Sequence, residues 1–259
     1  MYANYHTHTR RCGHAEGSER EYIEEAIKAG IRILGFSDHS PYPFPDGYYS
    51  DFRMPLCQAE EYFASILHLR EEYHDRIELH VGVEVEYYAP WHDTFMRYID
   101  RFPCEYLILG QHFIGNETDR HYASAPQDSE TALRQYVDQI LEGLSTGSFF
   151  YLAHPDLIRW EGTKKEYVRQ MQRLCSGAKE FNTPLEINLL GLSEGRNYPC
   201  ELFWKIAGET GNQVILGCDA HKPEGLAQMK TVRLAEQLAA KYHLNLIPEK
   251  TIPANANRQ

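Results

Sequence analysis

At 259 residues, 42% of them hydrophobic, the chain has enough length and apolar content for one large domain, residues 1–259, with a substantial core. Its formal net charge of −11 argues against nonspecific binding along nucleic-acid phosphates, and no apolar run approaches the roughly 20 residues that span a bilayer. Six scattered cysteines without a C-x-x-C pair, and a polar, His-rich opening unlike a secretory leader, point to a reducing cytoplasm.

The chain opens on Tyr5-His6-Thr7-His8 and, a few residues on, Arg11-Cys12-Gly13-His14. If Ala3 to His6 is a short strand, His6 and His8 project to one side of its end and form a ready chelate. Ser18-Glu19 to Ala29 reads as a helix stopped by Gly30. Ile31 to Phe36 is a second strand ending in Ser37-Asp38-His39. Four prolines between Pro41 and Pro55, among many aromatics, exclude regular structure there and suggest a binding loop. A helix from Leu56 to Tyr73, with Tyr62, Ile66 and Leu69 on one face, precedes a strand from Ile77 to Val83 that runs into Glu84 and Glu86.

Trp91 to Arg101 is a helix, and Tyr106 to Gly110 a strand leading to Gln111-His112. After a loop from Phe113 to Gln127, Ser129 or Asp128 caps a helix with an apolar stripe that Gly147 ends. Phe149 to Ala153 is a strand ending in His154-Pro155-Asp156. The helix from Lys164 to Phe181 leads to a strand from Pro184 to Ile187 and to a loop carrying Gly191, Gly195 and Arg196. A helix from Glu201 to Glu209, a strand from Val214 to Gly217 that delivers Asp219-Ala220-His221, and a helix from Ala227 to Tyr242 complete seven strand-helix units. Residues 243–259 read as a fraying polar tail. Strict alternation means parallel strands with helical crossovers. No Gly-rich phosphate fingerprint follows the first strand, so a closed barrel is preferred over a Rossmann sheet.

Nearly all candidate ligands fall at or just beyond a strand's C-terminal end, and in a parallel barrel those ends share one face. Alone, each has a plain explanation: a hydrogen-bonded loop His, an ion-paired Glu84, a helix-capping Asp219. Together, seven of the thirteen histidines with two carboxylates are too many for coincidence. They also exceed what one cation needs, and mixed N/O ligation suits two or three divalent ions of Zn, Mn or Fe. Cys12 and Cys218 are left out of the ligand set.

His6-Thr7-His8, Ser37-Asp38-His39, Glu84, His112, His154-Pro155 and Asp219-Ala220-His221 resemble, in order and spacing, the motifs of the polymerase and histidinol phosphatase (PHP) superfamily. The resemblance implies an α/β fold, a distorted seven-stranded (β/α)7 TIM-like barrel. It also implies three cation sites: one held by His6, His8, Glu84 and Asp219, a second by Glu84, His112 and His154, and a third by His14, His39 and His221. Within the superfamily the chain looks like the histidinol-phosphate phosphatases of histidine biosynthesis, with Arg159 and Arg196 resembling their phosphate-binding arginines. The plain alternative for each arginine is a surface ion pair with Glu161 or Glu194.

The implied reaction is hydrolysis of a small phosphate monoester. Asp38 is the candidate general acid, or else a residue that orients a ligand, and Asn188 and Glu186 are expected behind the ligands. Tyr42, Phe44, Tyr48, Phe52, Tyr87 or Tyr88 would wall the organic half of the substrate, and Glu86 or Asp51 would meet its amine. Alternatives are a PHP phosphoesterase for nucleotides or nucleic-acid 3′ ends, and a non-catalytic metal-binding domain. Oligomeric state is not legible.

Overall fold

The computed structural model describes residues 1–252. Strands β1 (Ala3–Asn4), β2 (Ile33–His39), β3 (Glu78–Val85), β4 (Tyr106–Leu109), β5 (Tyr151–Leu152), β6 (Leu185–Asn188), β7 (Gln213–Gly217) and β8 (Asn245–Leu246) pair in sequence order, all parallel, as one curled sheet. Helices α1 (Glu19–Lys28), α2 (Ala59–Tyr73), α3 (His92–Ile99), α4 (Glu130–Ser145) and α5 (Lys164–Glu180) alternate with the strands; α6 (Leu189–Glu194) and α7 (Glu201–Thr210) both follow β6, and α8 (Met229–Lys241) follows β7. Among the described residues no helix is long and apolar enough to cross a membrane, and all six cysteines are free.

Period-two alternation builds two cores. Leu34, Phe36, Val81, Val83, Leu107, Leu109, Ile187 and Leu216 face outward and pack in the larger core, which includes buried faces of the helices. Ala3, Tyr5, Ile33, Tyr106, Ile108, Tyr151 and Ile215 belong to a second cluster that fills the barrel. Burying one such large side chain contributes roughly 1.5–3 kcal/mol, so the fold stands on these two layers and not on the polar rim above them.

The sheet meets itself at its upper end. Thr7 bridges Ala220 in parallel, with His8 N donating to Ala220 O at 3.0 Å, and Cys218 N donates to the Asn4 side chain at 2.8 Å. This contact brings the first and last ligand candidates side by side. At the lower end β8 pairs with β7, where a seven-stranded barrel had been expected. Leu246 aligns with Val214, Ile247 and Ile252 pack on the inner cluster, and Tyr5 donates its hydroxyl to Lys250 O at 2.8 Å. Residues 243–252 are therefore a plug and not a fraying tail; the rest of that expected tail, 253–259, lies outside the described residues.

Two further differences have local causes. Asn188 caps with its side chain, accepting from Gly191 N at 2.8 Å, so a helix begins directly where a loop was expected, and Gly195 ends it at φ 65°. Strands β2 and β3 also run further than expected, in register from Ile33–Glu78 to His39–Glu84, so those two ligands sit opposite each other on adjacent strands.

Candidate metal centre

Glu84 lies at the middle of the rim. His154 Nε2 is 2.9 Å and His39 Nδ1 3.0 Å from its carboxylate; His6, His8 and His112 approach through Nε2 to 3.6, 3.7 and 3.8 Å. Asp219 Oδ1 lies 3.0 Å from His8 Nε2 and 3.5 Å from His6 Nε2. Ligand atoms of His6-His8-Asp219, of His6-Glu84-His154, of His8-His39-Glu84 and of His14-His39-His221 each fall within 4.8 Å of one another. The backbone bends to allow this: His154 (φ 28°) and Asp219 (φ 49°) adopt left-handed conformations that non-glycine residues rarely hold.

Behind the rim, five of the imidazoles are oriented by an acceptor. His6 Nδ1 donates to Glu186 at 2.8 Å, His112 Nδ1 to Glu86 at 2.7 Å and His8 Nδ1 to Asp38 at 3.3 Å. His14 and His221 donate Nδ1–H to the carbonyls of Cys12 (3.1 Å) and Asp219 (3.0 Å). With the proton on Nδ1, each of these five presents its Nε2 lone pair to the cleft, whereas His39 turns Nδ1 to Glu84 and His154 Nδ1 has no hydrogen-bond partner. His14 Nε2 and His221 Nε2 then face each other at 3.0 Å, a repulsive contact unless something positive lies between them. The buried atoms His6 Nε2, His8 Nε2 and Glu84 Oε2 find no hydrogen-bond partner. Inward lone pairs around buried carboxylates are the donor set of a divalent-cation site, and the residues present fit it.

Charge in the metal-free rim divides by neighbour. Burial raises the Glu84 carboxyl, but the His112, His39 and His6 imidazoles outweigh it and hold it well below the usual carboxylate range; Asp219 is depressed likewise, against its own burial, by His6, His8 and His221. Burial lowers His8, yet Asp219 and Asp38 push it up to about 9, and His6 is held well above its ordinary value, against burial, by Glu186, Asp219 and Glu84. His221 is pushed down to about 3 by burial and by His8, and His39 and His14 are also lowered by burial.

A cation held here would therefore displace protons from His6 and His8. In the metal-free chain the raised His8 pKa adds stability that is complete below the unfolded value of about 6.5 and is lost as pH rises through about 9. Zinc affinity would have the opposite slope, rising with pH up to that range. Titration calorimetry at pH 7 should give a heat that varies with buffer ionisation enthalpy; equal heats in all buffers would contradict the proton release.

Several expected site residues stand elsewhere. Asp38 is fully buried, bonded to Thr9 Oγ1, to His8 and to its neighbour's amide, so it orients His8 and does not reach the cleft as an acid. Glu86 is fully buried between His112 and Arg53, so it meets no substrate amine. Tyr42 stacks between Phe44 and Phe95, ring centroids 4.8 and 5.0 Å away, within the core. Arg159 pairs with Glu161 at 2.8 Å and lines a separate cavity beside Trp160 and Lys164, not the cleft over the rim.

Arg196 does face the cleft, held by Glu194 at 2.7 Å and donating to the Tyr198 hydroxyl at 2.8 Å. That cleft, about 630 Å³, is walled by Phe52, Phe113, Tyr122 and Tyr198, with Asp51 and Lys222 also lining it. Phe113, Tyr122, Tyr198 and Lys222 carry no motif that marks them as cleft residues; only Lys222, beside His221, has a positional hint. Asn188 and Glu186 lie where expected, Asn188 donating to Glu186 at 2.8 Å and to Asp219 at 3.0 Å. Cys12 Sγ comes within 4.8 Å of His8 and His221 nitrogens, but burial pushes its thiol pKa up and it donates to Thr9 O at 3.1 Å.

A curled parallel sheet with this rim defines the class: the chain belongs to the PHP domain family, whose model matches residues 4–189. It is 29% identical over 225 residues to a probable histidinol-phosphatase of Deinococcus radiodurans, covering 84% of this chain and 85% of that one. It is also 27% identical over 248 residues to a histidinol-phosphatase of Bacillus subtilis, covering 84% and 92%. Among solved structures, the Lactococcus lactis histidinol phosphate phosphatase, complexed with zinc, L-histidinol and phosphate, shares the fold at a TM-score of 0.73 and 21% identity, covering 95% of each chain.

Proposed function

We propose that the chain is a metal-dependent phosphatase that hydrolyses L-histidinol phosphate to L-histidinol and phosphate. The observation that carries this is the convergence of oriented Nε2 lone pairs on Glu84 and Asp219, beneath a cleft that presents Arg196. His6, His8, Glu84 and Asp219 hold one divalent cation, Glu84, His112 and His154 a second, and His14, His39 and His221 a third, drawn from Zn, Mn or Fe. When bound, these ions supply Lewis acidity and lower the pKa of water toward neutrality. Glu84 and Asp219 fix where the cations sit, and Glu186, Asp38 and Glu86 keep the imidazoles aimed. Arg196 presents a planar fork that bonds two phosphate oxygens at once. Phe52, Phe113 and Tyr122 offer rings against which an imidazole stacks, and Asp51 at the same cleft offers charge to an amine. Related histidinol-phosphatases support this substrate, and free thiols suit the reducing cytoplasm expected for it.

The test is turnover after Zn or Mn reconstitution on L-histidinol phosphate, compared with AMP and single-stranded DNA. Faster cleavage of either rival overturns the substrate, and bound metal with no turnover on any overturns the enzyme. Arg196→Ala should raise KM for the phosphate ester about 10- to 100-fold, as expected for a charge-assisted pair. Arg159→Ala should leave KM within about twofold, since a surface pair with Glu161 contributes little. The reverse ranking would put the phosphate beside Arg159 and not beside Arg196.

A further inference from the structure

We propose that Arg53 is a positioning residue that couples the metal centre to the cleft wall, so that cation binding at His112 orders the proline-rich loop 41–55. The proposal rests on the reading above for the cations only and does not depend on the substrate.

Arg53 stands near the end of that loop and is 3% exposed. Its guanidinium divides among three other segments. Nη2 donates to Glu86 Oε2 just past β3, Nε donates to Glu117 Oε2 at 2.6 Å in the loop after β4, and Nη1 reaches Ser40 Oγ at 3.4 Å, where the proline-rich segment starts. The other oxygen of Glu86 accepts from His112 Nδ1. One buried carboxylate is thereby shared between a ligand imidazole and the loop's only buried cation.

The residue before Arg53 completes the link. The Phe52 ring covers the guanidinium at 4.6 Å, meets His39 edge-on at 5.3 Å and lies 6.3 Å from His112. Phe52 also lines the cleft. A cation on His112 Nε2 fixes that ring, the ring fixes Glu86, and Glu86 fixes the fork from which Phe52 hangs. Linkage makes the effect reciprocal: whatever orders the loop tightens the cation. Lysine would keep the charge but lose the fork that serves Glu86 and Glu117 together.

Hydrogen exchange of peptides within 41–55, with and without zinc, tests this directly. In the wild type, zinc should slow exchange there about tenfold or more through a lower local opening population. In Arg53→Lys that zinc-dependent protection should shrink below about threefold, and the weakest-bound zinc should lose about 10- to 100-fold in affinity. Glu117→Gln keeps the Arg53–Glu86 pair and serves if the lysine variant gives no cooperative melt; it should lose loop protection with a smaller change in affinity. If zinc leaves the wild-type loop unchanged, or both variants keep the wild-type ratio, Arg53 is merely structural and the proposal falls. Failure to bind zinc at all would sink the cation reading with it, whereas intact coupling without turnover of histidinol phosphate would sink the substrate alone.

Discussion

Glu84→Gln is expected to lower turnover by about three orders of magnitude or more, with loss of at least one metal ion per chain by elemental analysis. Glutamine matches glutamate in size, so the packing is kept and only the anion goes. That anion stands within 3.8 Å of five imidazoles and is the one carboxylate common to the second and first proposed cation sites. An amide offers cations one neutral oxygen and turns an N–H toward the other ligands. The chain should still melt cooperatively, because the inner cluster of Tyr5, Tyr106, Ile108 and Tyr151 lies in the barrel and not among the ligands. Residual activity within tenfold of the wild type would remove Glu84 from the bridging role.

Gly110→Ala should be nearly as damaging, although Gly110 holds no cation. A Cβ there would fall 1.9 Å from Glu84 Oε1 and 2.6 Å from its carboxyl carbon, a separation no packing tolerates. Glu84 cannot swing aside, since imidazoles occupy its other sides, so β4 or the carboxylate must move. Zinc affinity should fall about 10- to 100-fold, as when a ligand's orientation is lost, with an overpacking cost of about 1–3 kcal/mol in stability. Competition with a chelator and a thermal melt measure the two effects. Gly217 cradles Glu186 in the same way, its hypothetical Cβ 2.1 Å from Oε2, and Gly217→Ala should disturb His6. Unchanged zinc affinity in both variants would mean that the glycines are incidental.

The ligand rim was readable from one dimension because its logic is periodic. Alternation sends His6 and His8 one way, and β/α order puts the ends of parallel strands on one face. The residues behind the rim were less readable. Asp38 and Glu86 carry the same charge as Glu84 and Asp219, and only distances separate a carboxylate that faces the rim from one that faces the back of an imidazole. The arginines separate from each other for a related reason. Both follow strands, but Arg159 turns outward to Glu161 while Arg196 turns over the cleft, and loop direction has no period to read. Among the aromatics, Tyr42 and Phe52 belong to one loop, yet one ring entered the core and the other the cleft.

Sequence by itself determined the strand-helix alternation, the face on which the candidate ligands gather and the family. Those follow from local spacing and residue chemistry, which act over a few residues. Tertiary structure alone decided the eighth strand, the Thr7–Ala220 closure that joins the two ends of the ligand set, the buried hold of Arg53 on Glu86, and which arginine meets the cleft. Each of these is a contact between segments distant in the chain, set by which buried polar group finds a partner once the sheet has curled, and no spacing along the chain encodes it.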